Sequence, residues 1–280
     1  MKVAITGANG YVGKALTQHL QSEEFDVTAL SRCSSPSMTK IDYCDSLELQ
    51  SVLKGHEAIV HLIGKAHSQD SMEALGDYRN TNVELSKTIT ITAAAAGVKT
   101  LIYLSSIKAM GGNRSTPYCA DDPALPTTAY GVSKLEAEIE LKDICDEAGM
   151  TLIILRPPLI YSPNAKGNIQ QLKNALTRGI PLPLKSIQNK RSILTLDDLC
   201  QIIQQSLESK PEPQILLPSS PPALSTPELI DRIAQDNALK SRLIPFPCAL
   251  LKIGLSCLGK AEAYDKLCGS LEVTPNITAD

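Results

Sequence analysis

No stretch of the 280-residue chain is apolar for the length of a bilayer. The longest candidate, Cys248 to Leu258, is interrupted by Lys252, Gly254 and Ser256, so no membrane insertion is expected. Charge of one sign is lacking too. Lys and Arg number 27 against 30 Asp and Glu, a net charge of -3, which gives no basic surface for nucleic acid. The eight cysteines contain no CxxC pair and form no metal-like cluster with the four histidines. Cys145 and Cys200 lie in apolar helical patterns and read as core thiols, so a reducing, cytoplasmic location is expected. The first strand begins at residue 2, so no signal peptide is expected. Internal repeats and low-complexity segments are also lacking. With 43% hydrophobic and 20% charged residues, what remains is an ordinary globule of one large or two small domains.

What is present is organised around a glycine-rich turn, Thr6-Gly7-Ala8-Asn9-Gly10-Tyr11-Val12-Gly13. The apolar run Val3-Ala4-Ile5 before it reads as a strand. Val12, Leu16, His19 and Leu20 after it have helical spacing. Unpaired amides and the positive end of the macrodipole make such a helix start a phosphate site. Glycine allows a pyrophosphate to approach the backbone. Further strands are expected at 25–30, 41–43, 57–62, 100–104 and 151–155, the last being the sixth. Helices are expected at 47–53, 82–96 and 130–148, with Asp45 and Glu48 at capping-box spacing. Strands alternating with helices imply an α/β, Rossmann-type, doubly wound parallel sheet, with ligands beyond the strands' carboxyl ends.

From Pro157 prolines become frequent and the elements shorter. A helix is expected at 167–176, a strand at 191–196, and a helix at 197–207 that could pack back on the sheet. Ser225-Thr226-Pro227-Glu228 should open another helix, and the tail from Cys248 should hold two short ones. The expected division is a dinucleotide-binding domain over residues 1–160, with 190–210 packing back on it, and a smaller mixed α/β C-terminal substrate-binding region over 161–280.

Tyr130 and Lys134, four apart at a helix start, share one face. A free phenol titrates at about 10. A neighbouring ammonium stabilises the phenolate, which lets the tyrosine exchange a proton with an alcohol or carbonyl. Ser106, at a strand end, could donate a hydrogen bond to the same oxygen. Arg32, after Ser31 at the end of the second strand, stands where an acidic residue would hold the ribose hydroxyls of NAD. An arginine there suits a 2′-phosphate, or is a solvated surface charge.

TGANGYVG, SSIKAMG, YGVSK and LRPPLIYSP, in this order and at these separations, resemble the extended short-chain dehydrogenase/reductase family. That family includes NAD(P)-dependent nucleotide-sugar epimerases, dehydratases and reductases, and the similarity covers nearly the whole chain. It implies a triad of Ser106, Tyr130 and Lys134. It implies a pyrophosphate turn of Gly7, Asn9, Gly10, Tyr11, Val12 and Gly13, with Ser31 and Arg32 beside the adenosine. Asp42 and Tyr43 resemble the adenine contact. Leu62, Ile63, Gly64 and Lys65 resemble the strand-end contact, Asn82 the asparagine near the nicotinamide, and Pro158 the carboxamide contact. On the substrate side, Arg191 resembles the residue that binds the diphosphate, as an arginine fork can; a surface ion pair with Asp197 or Asp198 is the other reading. Asn168 resembles a substrate-side asparagine, or is an N-cap.

The 4,6-dehydratases of the family carry Asp-Glu after the catalytic Ser or Thr. Here Ile107 and Lys108 stand there. Isoleucine transfers no proton, so dehydration is not expected, and Lys108 is solvated or faces the substrate. SSIKAMG, RPPLIYSPNAKGN, PLPL and NKRSILTLDDL look closest to bacterial surface-polysaccharide enzymes acting on UDP-N-acetylamino sugars. The expected function is NADPH-dependent C4 reduction of a UDP-4-keto-6-deoxy-N-acetylhexosamine, with NAD a possible cofactor. A 4-epimerase with tightly bound NAD is one alternative, and a non-catalytic NADP-sensing protein is another. The family also implies a homodimer formed through the helices at 82–96 and 130–148.

Overall fold

The structure, a computed structural model, describes residues 1–66, 72–165, 167–209, 212–257, 259 and 261–279. His67, two residues beyond the strand-end stretch Leu62, Ile63, Gly64 and Lys65, lies outside the described residues. The chain opens with β1 (Lys2–Thr6), α1 (Tyr11–Ser22), β2 (Asp26–Ser31), β3 (Thr39–Lys40), α2 (Ser46–Leu53) and β4 (Ala58–His61). A long helical segment follows as α3 (Leu75–Arg79), a π-helical stretch Asn80–Glu84, and α4 (Leu85–Ala95). Next come β5 (Thr100–Leu104), α5 (Ala129–Ala148) and β6 (Thr151–Leu155). The remainder is β7 (Leu159–Tyr161), α6 (Asn168–Thr177), β8 (Arg191–Thr195), α7 (Leu196–Glu208), β9 (Gln214–Leu216), β10 (Ser220–Leu224), α8 (Thr226–Asp236), α9 (Cys248–Cys257) and α10 (Ala261–Cys268).

Seven strands form one parallel sheet in the order β3-β2-β1-β4-β5-β6-β9. Chain order reverses between β1 and β4, the point at which such sheets open a crevice for a ligand. Period-two alternation serves two cores. Ala4, Leu101, Tyr103 and Leu152 face α2, α4 and α5 through Leu49, Ile89, Ala93, Ala137 and Leu141. Val3, Ile5, Ile102 and Ile153 face α1 and α7 through Leu16, Leu20, Leu199 and Ile203. Every one of these side chains is out of solvent, and a buried Leu or Ile contributes ~1.5–3 kcal/mol. Cys145 and Cys200 are core thiols, and burial pushes both up to about 12.

Several details differ from the sequence expectation: β7 and β10 are added strands, and the helical segment expected from residue 82 begins at Leu75. Residues 41–43 are not strand: β3 is the two-residue pair Thr39–Lys40, and Ile41 and Tyr43 turn inward to bury their side chains. Asp45 caps α2, accepting from the Leu47 and Glu48 amides, but Glu48 Oε2 accepts from the Asp42 amide instead of closing the box on Asp45. A seventh strand, β9, joins the sheet edge.

A second sheet, β10-β8-β7, pairs β7 parallel and β10 antiparallel to β8. It is covered by α6 and α8, whose Ile169, Leu176, Leu229, Ile230 and Ile233 share a core with Tyr161 and Ile193. Ser225 opens α8 with a complete capping box. α7 crosses to the large sheet, so the two layers are joined through β8 and α7.

Candidate active site

The glycine turn closes on itself. The Gly10 amide donates to Gly7 O at 2.8 Å, and Gly7 holds a φ of 70°. A Cβ on Gly13 would lie 2.7 Å from Ala8 Cα, and one on Gly10 would lie 3.0 Å from Gly7 O. Gly10 caps α1 with no side-chain acceptor, and no acidic residue stands in the first turn. The leading amides of a twelve-residue helix therefore face the crevice with a bare glycine surface above them. This fits the pyrophosphate of a dinucleotide. Asn9 and Gly10 are exposed, and Tyr11 and Val12 are half-buried.

Beneath the turn, the Tyr43 hydroxyl donates to Leu30 O at 2.8 Å and accepts from the Gly7 amide at 3.3 Å. Burial pushes this phenol up to about 12. Tyr43 is thus a strut under the turn, and Asp42 is the exposed member of the pair. At the end of β2, Ser31 is buried, its Oγ accepting from the Cys33 amide, while Arg32 is exposed.

After β4 the chain runs through Leu62, Ile63, Gly64 and Lys65. Asn82 holds this stretch. Its Oδ1 accepts from the Lys65 amide at 2.7 Å, and its Nδ2 donates to Lys65 O at 3.2 Å and to Ser133 Oγ at 2.9 Å. Asn82 sits buried in the π-helical stretch, an irregularity of the kind often found at functional sites. A Cβ on Gly64 would lie 3.0 Å from Lys134 Nζ, so a glycine lets this loop descend onto the lysine.

The Ser106 and Tyr130 elements meet by a backbone contact. Ser106 ends the extended run after β5, and its Oγ accepts from the Lys108 amide at 3.2 Å. That leaves the hydroxyl proton to be donated. Thr128 caps α5 through the Gly131 amide. A Cβ on Gly131 would fall inside van der Waals contact of Lys108 O and 3.0 Å from Lys108 C. Gly131 therefore lets the first turn of α5, with Tyr130, press against the Ser106–Lys108 turn. Tyr130 is half-buried, its ring 5.9 Å from that of Tyr78.

Lys134 is buried. Its Nζ donates to Leu104 O at 2.8 Å and Tyr103 Oη at 3.1 Å, which leaves one of three protons for a ligand. Burial lowers this ammonium to about 8, against the pull of Glu138. Under Tyr103 lies His61, stacked at 5.6 Å between ring centroids and bonded to Thr6 Oγ1 and Ser86 Oγ at 2.7 and 2.8 Å. Burial, then the Lys134 charge, lowers this imidazole to about 3. Beside them Arg156 and Glu138 form a buried ion pair, and Ser105 Oγ donates to the same carboxylate.

On the second lobe, Pro158 is buried between β6 and β7. Asn168 is the exposed first residue of α6, whose N-cap is Gly167, so it is not itself the cap. Arg191 is half-buried, and its Nη1 donates to Lys266 O and Gly269 O at the end of α10. Asp198 pairs with the Ser220 hydroxyl instead. Tyr11 Oη donates to Ser162 Oγ at 2.5 Å, tying the glycine turn to the second lobe.

Sequence reasoning missed Tyr103, His61, Gly131, Glu138 and Arg156. The one available signal lay in the expected helix 130–148. Glu138 follows Lys134 by one turn, on the face turned to the sheet.

Residues 3–216 match the family model described as the NAD dependent epimerase/dehydratase family. A UDP-glucose 4-epimerase of Vibrio cholerae is 30% identical over 97% of this chain and 86% of its own length. A UDP-2-acetamido-2,6-beta-L-arabino-hexul-4-ose reductase of Pseudomonas aeruginosa is 24% identical over 86% of this chain and 59% of its own. Among solved structures, MoeE5 in complex with UDP-glucose and NAD superposes with a TM-score of 0.76 at 21% identity, covering 99% and 90% of the two chains. At that identity the likeness carries the fold.

Proposed function

The chain belongs to the NAD dependent epimerase/dehydratase family, the extended short-chain dehydrogenase/reductase type of enzyme, and from this premise we propose that it reduces C4 of a UDP-linked 4-keto-6-deoxy-N-acetylhexosamine with NADPH. A bound nicotinamide dinucleotide supplies the hydride. The turn amides of Gly10 to Gly13 hold its pyrophosphate, and Arg32 its 2′-phosphate. Lys134, with its remaining proton, holds the ribose and favours the Tyr130 phenolate. Ser106 donates to the sugar's O4, and Tyr130 gives that oxygen its proton as the alcohol forms. Arg191, Asn168 and Lys108 face the nucleotide sugar from the second lobe and the Ser106 turn. Residues 1–160 with α7 serve the cofactor, and residues 161–280 serve the substrate.

The observation that carries the reductase reading is the end of β2. An exposed arginine follows a buried serine there, with no carboxylate to hold ribose hydroxyls. This favours an exchanging NADPH over a retained NAD. Ile107, buried at 3% exposure, stands directly after Ser106 and transfers no proton, which disfavours dehydration. The Pseudomonas relative is named for reduction of a hexul-4-ose. The Vibrio relative favours a second reading, a UDP-sugar 4-epimerase with tightly bound NAD.

One assay separates them. Purified protein is given NADPH or NADH and a panel of UDP-4-keto sugars, and separately UDP-N-acetylglucosamine with no added cofactor. NADPH loss with a UDP-4-keto sugar is the expected result. Interconversion of UDP-N-acetylhexosamines without added cofactor would replace the reductase reading by the epimerase one.

The homodimer is proposed on the faces of α4 and α5. They pack side by side through Lys87–Glu140 and leave Ile91 and Ile139 more than half exposed. Light scattering giving a monomer mass would remove it.

A further inference from the structure

Four of the exposed large apolar side chains fall on one part of the second lobe: Ile180 (43% exposed), Ile244 (44%), Leu250 (54%) and Ile253 (59%). Backbone hydrogen bonds make their segments neighbours. The Leu182 amide donates to Arg242 O at 2.9 Å, the Ile244 amide to Leu182 O at 3.0 Å, and the Lys185 amide to Ile244 O at 3.2 Å. α9 starts directly after this pairing. Its Cys248 and Leu251 pack on the lobe's core. Leu250, Ile253 and Cys257, at i, i+3 and i+7, form the opposite face and are exposed. α9 buries no residue.

The segments that form this face carry charge of one sign, while α10, packed on α9, brings Asp265, which is exposed, to its border. No Asp or Glu occurs from residue 167 to 196 or from 237 to 257, in a chain of net charge -3. Arg178, Lys185, Lys240, Arg242 and Lys252 are all exposed there. Asp231 on α8 reaches the edge of the segment and accepts a hydrogen bond from Ser241 Oγ at 2.6 Å.

We propose that this face docks on an anionic lipid bilayer surface, with α9 lying in the headgroup layer. A short helix with an outward apolar face and flanking basic side chains is the pattern of an interfacial helix. Lysine and arginine stems lie along apolar surface while their charges reach lipid phosphates. A second copy of the chain fits worse, because a two-fold contact through this face would bring the same basic groups together. Among the described residues no helix is long and apolar enough to cross a membrane, so the contact is peripheral. It holds whichever sugar the active site takes.

Flotation of the full chain with vesicles tests this. Wild type, Leu250→Ser/Ile253→Ser and Arg242→Glu/Lys252→Glu are compared on phosphatidylcholine vesicles and on vesicles containing about one third phosphatidylglycerol. Circular dichroism and NADPH binding check that each variant is folded. Wild type should float with the anionic vesicles, release with salt, and stay behind with neutral ones. Each double variant should lose about tenfold or more of the bound fraction. Wild type that does not float, folded variants that float as well as wild type, or equal binding to neutral vesicles would each overturn the proposal. So would a concentration-dependent oligomer, without flotation, that Leu250→Ser/Ile253→Ser disperses; the face would then be a contact between copies.

Discussion

Lys134 Nζ lies 3.1 Å from Tyr103 Oη, deep under the carboxyl end of the sheet. The lysine bound to the cofactor's ribose in the proposed reaction is thus held from below by a wholly buried side chain. Tyr103→Phe removes one acceptor from a buried ammonium already lowered to about 8. The charged form should weaken further. The basic limb of the kcat/KM profile should move to lower pH, with a loss of about three- to tenfold at neutral pH. A full pH–rate profile checks this; a limb at the wild-type position would mean that Tyr103 only fills space.

Tyr130→Phe removes the proton that the proposed reaction delivers to O4. Turnover should fall by at least about a hundredfold, while NADPH binding measured by fluorescence stays near wild type. Loss of binding in step with turnover would point to a structural role.

Gly131→Ala places a methyl group against the backbone carbonyl of Lys108. A carbonyl cannot rotate away as a side chain can, so the start of α5 must back off. The expected costs are about 1–3 kcal/mol of stability and a disproportionate fall in kcat, since small misplacements of reacting groups are expensive. Steady-state kinetics beside urea melts separate the two effects, and a variant with wild-type kcat would show that the close contact is unnecessary.

Glu138 and Arg156 are 3% and 5% exposed. Glu138→Gln leaves the guanidinium buried without its counter-charge, which should cost about 3–5 kcal/mol. The urea midpoint reads this directly. A shift of less than about 1 kcal/mol would mean that water or Met110 replaces the carboxylate.

His61 is lowered from its ordinary 6.5 to about 3 by burial. The unfolded chain therefore binds the extra proton between those values and the folded chain does not. Stability from this site is complete above pH 6.5 and is lost as pH falls toward 3. His61→Gln should lose less stability than wild type between pH 7 and pH 4, judged by urea midpoints at both. Parallel losses would assign the acid sensitivity to other groups.

The sequence on its own determined the glycine turn, the N-caps of α2 and α8, the parallel α/β order, and the placement of Ser106 at a strand end with Tyr130 and Lys134 on one helix. These depend on spacing within a few residues, where periodicity and local hydrogen bonds act. Strands β7 and β10 and the edge strand β9 were not legible. They are short and set among prolines, and only a neighbouring strand gives them their bonds. The surroundings of Lys134 and Tyr130 were decided by tertiary structure. Thr6 meets His61 across 55 residues, and Lys134 meets Tyr103 across 31. Such partners are chosen by which strands lie side by side. Once there, a buried donor or acceptor must be satisfied by whatever that packing brings within reach.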